Sequence, residues 1–397
     1  MQPSLLLDET QWSLDGGLLT LQSICSQPRL WHEGFHAVQQ QSTAIKHFWQ
    51  QMGNEPRNII LCGAGSSLSA ARVAAQWLRQ QTGREIQVLA STDIVVKPEL
   101  YLTNQPTLLV SVTSSGSTPE SVAVFEHAER LIDDCYHLII ANDPQGELPK
   151  RSQQHAKTLY IPAPNGTKNG SFAAAAEFTL PIWYLLLIFL PQHWDIAQRA
   201  LKVYQHGADY FLTQQAEKIA EIAQRDAPVV VSLGSSSLQF IAADASLKLL
   251  EMCNGKQATD DFSTLAFRHG PKLIVNQPVT VVCYLSPDQQ ILRYDLDMAA
   301  ELKAQRHRAG KIIGIYAEAD PRVAQACDEY LHFDAPELTQ LPEVFSGLLY
   351  VMFAQLLGLM RARQLGVTPD LPSNDGKVAK VCKVTLYGQD FTDKINA

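Results

Sequence analysis

Unbroken apolar runs, each stopped by glycine, serine, threonine or asparagine and followed by a stretch of helical spacing, recur along most of this chain. They begin with Asn58-Ile-Ile-Leu-Cys-Gly63 and continue through Thr107-Leu-Leu-Val-Ser-Val-Thr113 and Tyr136-His-Leu-Ile-Ile-Ala-Asn142, with Glu85-Ile-Gln-Val-Leu-Ala90 as a further strand. Runs that do not alternate with polar residues predict strands buried on both faces, as in a parallel sheet covered by helices. Helical spacing over residues 69–81, closed by Gly83, predicts the first crossover helix. Upstream, Trp31, Phe35, Val38, Ile45, Phe48 and Trp49 predict one or two helices over residues 28–52, ended by Gly53-Asn-Glu-Pro56. Residues 1–26 have weak periodicity and predict an extended arm with a short helix.

A second set of runs follows at a matching offset: Pro228-Val-Val-Val-Ser-Leu-Gly234, Pro278-Val-Thr-Val-Val-Cys-Tyr284 and Lys311-Ile-Ile-Gly-Ile-Tyr316. Such self-similarity predicts duplication. The expected fold is α/β, with two tandem domains, each a five-stranded parallel sheet in a three-layer α/β/α arrangement. The expected divisions are N-terminal helices over residues 1–52, domains over 53–192 and 227–365, a linking helix over 193–226 and a tail over 366–397. Long helices are expected over 172–189 and 194–225, and the prolines and glycines of 162–170 predict a loop. In the tail, Thr368-Pro-Asp-Leu-Pro-Ser-Asn-Asp-Gly376 breaks all periodicity, so this segment is expected to lie over the site.

The turns carry the first candidate chemistry. Gly63-Ala-Gly-Ser-Ser67 ends a strand and opens a helix, and a helix start leaves several backbone N–H groups aimed at one spot. Thr113-Ser-Ser-Gly-Ser-Thr118 also ends a strand, and adjacent parallel strands present their carboxyl ends at one edge. Gly65, Ser66, Ser67, Thr113, Ser114, Ser115, Ser117 and Thr118 are therefore expected to form one anion cradle, most simply for phosphate. A bare Gly-x-Gly turn alone is weak support for a dinucleotide. The second half has Ser235-Ser-Ser237, but where the second serine turn belongs it reads Leu285-Ser-Pro-Asp288, so one pocket is expected.

At 397 residues and 46% hydrophobic content the chain can build two or three cores. Its net charge of −8, without blocks of like charge, argues against nucleic acid and anionic membranes as partners. Seven dispersed cysteines without a Cys-x-x-Cys pair, and no leader pattern, fit reduced thiols in the cytoplasm. The most apolar segment, residues 180–190, falls short of the ~20 residues of a span and reads as a buried or interface helix. His32 and His36 have metal-ligand spacing but no carboxylate companion and read as core or surface histidines, and Asp260-Asp261, which could bind a cation, reads first as a loop edge or a helix N-cap.

A second constellation lies in Ala245-Ser-Leu-Lys-Leu-Leu-Glu-Met252 and Phe262-Ser-Thr-Leu-Ala-Phe-Arg-His-Gly-Pro271. Lys248 and Glu251 share a helical face, and such a pair is ordinarily a salt bridge or a solvated edge. His269 stands before Gly-Pro, where a structural role is the common one. Beside a phosphate cradle, however, a carboxylate and an imidazole supply a base and an acid suited to proton transfer next to a carbonyl.

Gly63-Ala-Gly-Ser-Ser67, Thr113-Ser-Ser-Gly-Ser-Thr118, Lys248-Leu-Leu-Glu251 and Arg268-His-Gly-Pro271 together resemble the sugar isomerase (SIS) domain superfamily over roughly residues 30–390. The double-domain layout resembles the isomerase half of glucosamine-6-phosphate synthase and, more closely, the AgaS-type proteins of aminogalactose catabolism. The resemblance implies that Ser67, Thr113, Ser115 and Thr118 cradle the phosphate, with Ser66 nearby, and that Lys248 contacts sugar hydroxyls. It implies Glu251 as the base between C1 and C2, and His269, from a neighbouring subunit, as the group that opens the ring. A homodimer with composite sites follows. The synthase's C-terminal Leu-Ala-Lys finds its nearest match in Val378-Ala-Lys380, with Lys383 as a rival. The Lys248-to-His269 spacing is slightly longer than in the synthase, and a glutaminase segment is missing, so the amine is expected to leave rather than arrive. The expected activity is a sugar-phosphate isomerase acting as a deaminase, galactosamine 6-phosphate to tagatose 6-phosphate plus ammonia, with no metal or other cofactor. A deglycase of the fructosamine-6-phosphate type and a non-catalytic sugar-phosphate sensor are the alternatives.

Overall fold

A computed structural model describes residues 9–53, 57–173, 175–373, 378 and 385–386. The first half opens with α1 (Glu9–Leu14), α2 (Leu18–Gln40) and α3 (Ser42–Met52). Then follow β1 (Asn58–Gly63), α4 (Ser66–Thr82), β2 (Ile86–Ala90), α5 (Ser91–Val96), β3 (Thr107–Thr113), α6 (Pro119–Leu131), β4 (Cys135–Ala141), α7 (Glu147–Ser152) and β5 (Thr158–Tyr160). The helices α8 (Ala176–Phe189), α9 (Trp194–Gln214) and α10 (Ala216–Ala223) lead to the second half. It comprises β6 (Val229–Gly234), α11 (Leu238–Met252), β7 (Ala258–Ser263), β8 (Thr280–Tyr284), α12 (Gln289–Gln305), β9 (Lys311–Tyr316), α13 (Pro321–Ala326), β10 (Glu329–His332) and α14 (Glu343–Gln364).

Both sheets are parallel and share one topology. The first runs β2-β1-β3-β4-β5, and the second, taken in the same sense, β7-β6-β8-β9-β10. In each, the strand order reverses between the first and third strands, the topological switch point where open α/β sheets take ligands. β3 and β4 are buried at every position, as their unbroken apolar sequences require.

Several elements depart from the sequence expectation. α2 starts at Leu18 and passes through Pro28, because the buried stripe Leu21, Ile24, Trp31, Phe35 and Val38 continues across the proline; the described part of the expected arm, from Glu9, is mostly helix, and residues 1–8 lie outside the described residues. The expected helix over 194–225 breaks at Gln215 into α9 and α10. Asp260 and Asp261 stand in β7, an edge strand paired with β6, rather than in a loop or a cap. Edge strands tolerate such charge, which hides them from an apolar-run reading.

The largest core joins the two halves, drawing on α2, α4, α8, α11 and α14. Every residue of α8 is buried. α14 is long and apolar enough to cross a membrane, but 94% of its apolar window is buried inside the protein, as befits a central core helix. Helices α4 and α11, which follow the first strand of each sheet, pack against each other. That contact brings the first half's glycine turn toward the second half's charged helix. Six described cysteines are free thiols; Cys382 lies outside the described residues.

Candidate active site

The glycine turn is shaped by close approach. A Cβ on Gly63 would stand 2.9 Å from the Ser67 carbonyl carbon and from Val112 O, so only glycine lets α4 start directly against the strand. Gly65 then takes φ +55°, a left-handed conformation that glycine adopts without a steric penalty. Ser66 and Ser67 open α4, both partly exposed. Across the switch point, Ser115 Oγ and Thr118 Oγ1 lie 3.3 Å apart, and Ser115 Oγ accepts the Ser117 N–H at 3.1 Å. Ser66, Ser67, Ser115 and Thr118 are the half-open hydroxyls of the two turns, with exposed Ser117 at the rim.

Two expected cradle members are committed elsewhere. Thr113 is buried, and its Oγ1 accepts the Gly116 N–H at 3.3 Å, closing the turn from inside. Ser114 donates to Glu177 Oε2, so its hydroxyl is not a free donor for an anion. Glu177, buried at the start of α8, was not singled out from the sequence.

α11 carries Asp244, Lys248 and Glu251, spaced four and three apart and hence on one face. Lys248 Nζ lies 2.6 Å from Glu251 Oε2, with the lysine side chain 2% exposed and the glutamate 29%. Burial pulls the Lys248 ammonium down, but Glu251, Asp244 and Glu177 outweigh it and hold the pKa above the ordinary lysine range. One buried cation thus sits among three carboxylates, from the end of α11, from its middle and from α8. Asp244 is wholly buried, and neither carboxylate oxygen makes a well-formed hydrogen bond among the described residues, although the Ser66 hydroxyl is close by. Burial pushes its pKa up from the ordinary 3.8 to about 6; nearby Lys248 and Ser66 pull it down, and Glu251 adds to the rise. Ser66 ties this group to the glycine turn. Asp244 escaped the sequence reading, although its position one turn before Lys248 was a legible signal.

The second half repeats the arrangement with a different occupant. Ser236 stands where Gly65 does and, like it, has a positive φ, +50°. For a non-glycine residue such backbone costs about 1–2 kcal/mol. Here Glu343, at the start of α14 as Glu177 is at the start of α8, fills the cradle. Its Oε1 accepts from Ser237 N at 2.7 Å and Ser237 Oγ at 2.6 Å, and its Oε2 accepts from Ser286 Oγ at 2.5 Å. Asp295 takes Ser235 Oγ at 2.5 Å and Ser286 N at 3.0 Å. The donors that could hold an anion in this half already hold the protein's own carboxylates.

His269 is exposed on the connection between β7 and β8, and its ring has no hydrogen bond or ion pair among the described residues. It does not join Glu251 within the chain. Lys380 and Lys383 lie outside the described residues.

A doubled flavodoxin-like sheet with a hydroxyl-lined switch point defines the class: tandem SIS, or sugar isomerase, domains. Among solved structures, a putative tagatose-6-phosphate ketose/aldose isomerase from Clostridium novyi NT superposes with a TM-score of 0.91 at 29% identity, over 98% of this chain and 100% of that one. The C-terminal domain of glucosamine-fructose-6-phosphate aminotransferase from Francisella tularensis shares the fold, with a TM-score of 0.72 at 18% identity over 88% and 96% of the two chains. In sequence, the chain is 32% identical over 389 residues to the D-galactosamine-6-phosphate deaminase AgaS of Shewanella sp. (strain ANA-3), covering 97% of this chain and 95% of that one. It is also 32% identical to the Escherichia coli protein described in the same words, over 92% and 94%. No protein-family model matches. The chain belongs to the AgaS family and is an enzyme.

Proposed function

We propose that this enzyme is a phosphosugar isomerase that acts as a deaminase, taking galactosamine 6-phosphate and water to tagatose 6-phosphate and ammonia. The carrying observation is the packing of α11 on α4, which links the Lys248–Glu251 pair of one half to the serine turns of the other through Asp244 and Glu177. The names of the relatives supply the substrate class and support the same reading.

In this mechanism the phosphate sits on the Ser66 amide and on the hydroxyls of Ser66, Ser67, Ser115 and Thr118. Binding energy at C6 then positions C1 and C2 for reaction. After ring opening, Glu251 takes the proton from C2 of the amino-aldose and returns it to C1. The resulting C2 imine adds water and expels ammonia, leaving the ketose. Lys248 holds Glu251 in place through their ion pair, and Asp244 and Glu177 stabilise the lysine's charge where water cannot. The ring-opening imidazole is His269 of a second copy, since the chain's own His269 faces outward; the working unit is a homodimer.

A panel of hexosamine and ketohexose 6-phosphates, with ammonia and ketose read separately, tests the reading. Ammonia released stoichiometrically with ketose from the galacto epimer is the expected result. Ketose interconversion without ammonia on any amino sugar would overturn the deaminase assignment.

A further inference from the structure

At the opposite end of the first sheet lies a cluster that the sugar chemistry does not use. Cys135 is the first residue of β4 and His137 follows on the same face. Glu129 reaches them from the last turn of α6. Ligand atoms of these three lie within 4.8 Å of one another. His137 Nε2 meets Glu129 Oε1 at 2.7 Å, and His155 Nε2 meets Glu129 Oε2 at 2.7 Å. The two imidazole rings stand perpendicular, with centroids 5.4 Å apart. His155 is oriented from behind by Thr158 Oγ1, 2.8 Å from its Nδ1, the kind of outer hydrogen bond that fixes a metal-binding tautomer.

Two features set this cluster apart from an ordinary surface ion pair. The His137 side chain is fully buried, packed on Phe125 at 4.0 Å between centroids, and its Nδ1 has no partner among the described residues. A buried imidazole is a costly choice for a purely structural position on an otherwise apolar central strand. Moreover, the donors are one sulfur, two nitrogens and a carboxylate, a set that suits zinc and disfavours magnesium or calcium.

We propose that Cys135, His137, His155 and Glu129 form a site for a borderline-soft divalent cation of the zinc type. Around a tetrahedral ion with ~2.0 Å bonds to nitrogen and oxygen, one Glu129 oxygen stands about 3.3 Å from each imidazole nitrogen, so the carboxylate gives up its two 2.7 Å contacts on binding. Coordination converts the Cys135 thiol to a thiolate and releases its proton to solvent. The site lies six residues along β3 and β4 from the serine turn, roughly 20 Å, so the ion braces the α6–β4–β5 layer and takes no part in proton transfer at the sugar.

The test uses the full chain, stripped with a chelator and titrated with cobalt(II) and then zinc(II). Expected are one cobalt per chain, a thiolate-to-cobalt charge-transfer band, displacement by zinc and a rise in Tm on zinc binding. Cys135→Ser abolishes the band. His155→Gln, at the partly exposed rim and so safer for folding than a change at buried His137, weakens zinc binding at least tenfold. Absence of saturable cobalt binding, or a band and affinity unchanged in both variants, overturns the site.

Discussion

Asp244 offers a sharp test of how the buried charges at the site are balanced. Its pKa is about 6 in the folded protein against an ordinary 3.8, a rise of about 2.2 that corresponds to about 3 kcal/mol. Because the folded chain binds the proton more tightly than the unfolded one, this group favours folding most below pH 3.8. The advantage is lost as pH rises through about 6 and stays lost above it. Of the 3 kcal/mol, about 2 falls between pH 4.5 and 7.5. Asp244→Asn keeps the shape and removes the titration, so the wild-type advantage over the variant should shrink by about 2 kcal/mol across that range. For a chain of this length that is a relative Tm shift of about 2 °C, readable by calorimetry at matched ionic strength. A Tm difference that stays constant from pH 4.5 to 7.5 would refute the reasoning.

Further expectations follow from the same geometry. Glu251→Gln should lower kcat by about 10²–10⁴, as for loss of a positioned base, measured by ketose and ammonia release, with a lowered thermal midpoint because Lys248 loses its ion-pair partner. Ser67→Ala combined with Thr118→Val should raise KM for 6-phosphorylated substrates by about tenfold or more while leaving the thermal midpoint near wild type, since hydrogen bonds to a charged group contribute about 1.5–3 kcal/mol. Mixing Glu251→Gln with His269→Ala, each inactive alone, should restore about a quarter of wild-type turnover, because half of the random dimers carry one intact composite site of two. No recovery on mixing would place the ring-opening group elsewhere. Glu343→Ala should destabilise the second half by orphaning the Ser237 and Ser286 donors, and inorganic phosphate should restore part of the lost Tm.

Much of the frame was legible because it is local. The β1 and β3 boundaries, the two serine turns and the Lys248–Glu251 face follow from apolar runs, glycine breaks and helical spacing, which neighbouring residues decide among themselves. The duplication was legible for the same reason, and the matching strand orders agree with it. The edge strand β7 was missed because its aspartates suppress the apolar signal while edge pairing still satisfies its backbone.

The sequence by itself determined that two similar sheets would form, that a hydroxyl-rich turn would stand at a strand end of the first, and that a lysine and a glutamate would share one helix face. Only the tertiary structure decided which of those groups are free. Ser114 is bound by Glu177 and Thr113 is turned inward. Asp244 is buried beside Ser66, and the second cradle is filled by Glu343. The physical reason is that a side chain's availability and charge depend on partners far away in sequence. Glu177 is 63 residues from Ser114 and Glu343 is 106 from Ser237, distances across which only the packed fold carries information.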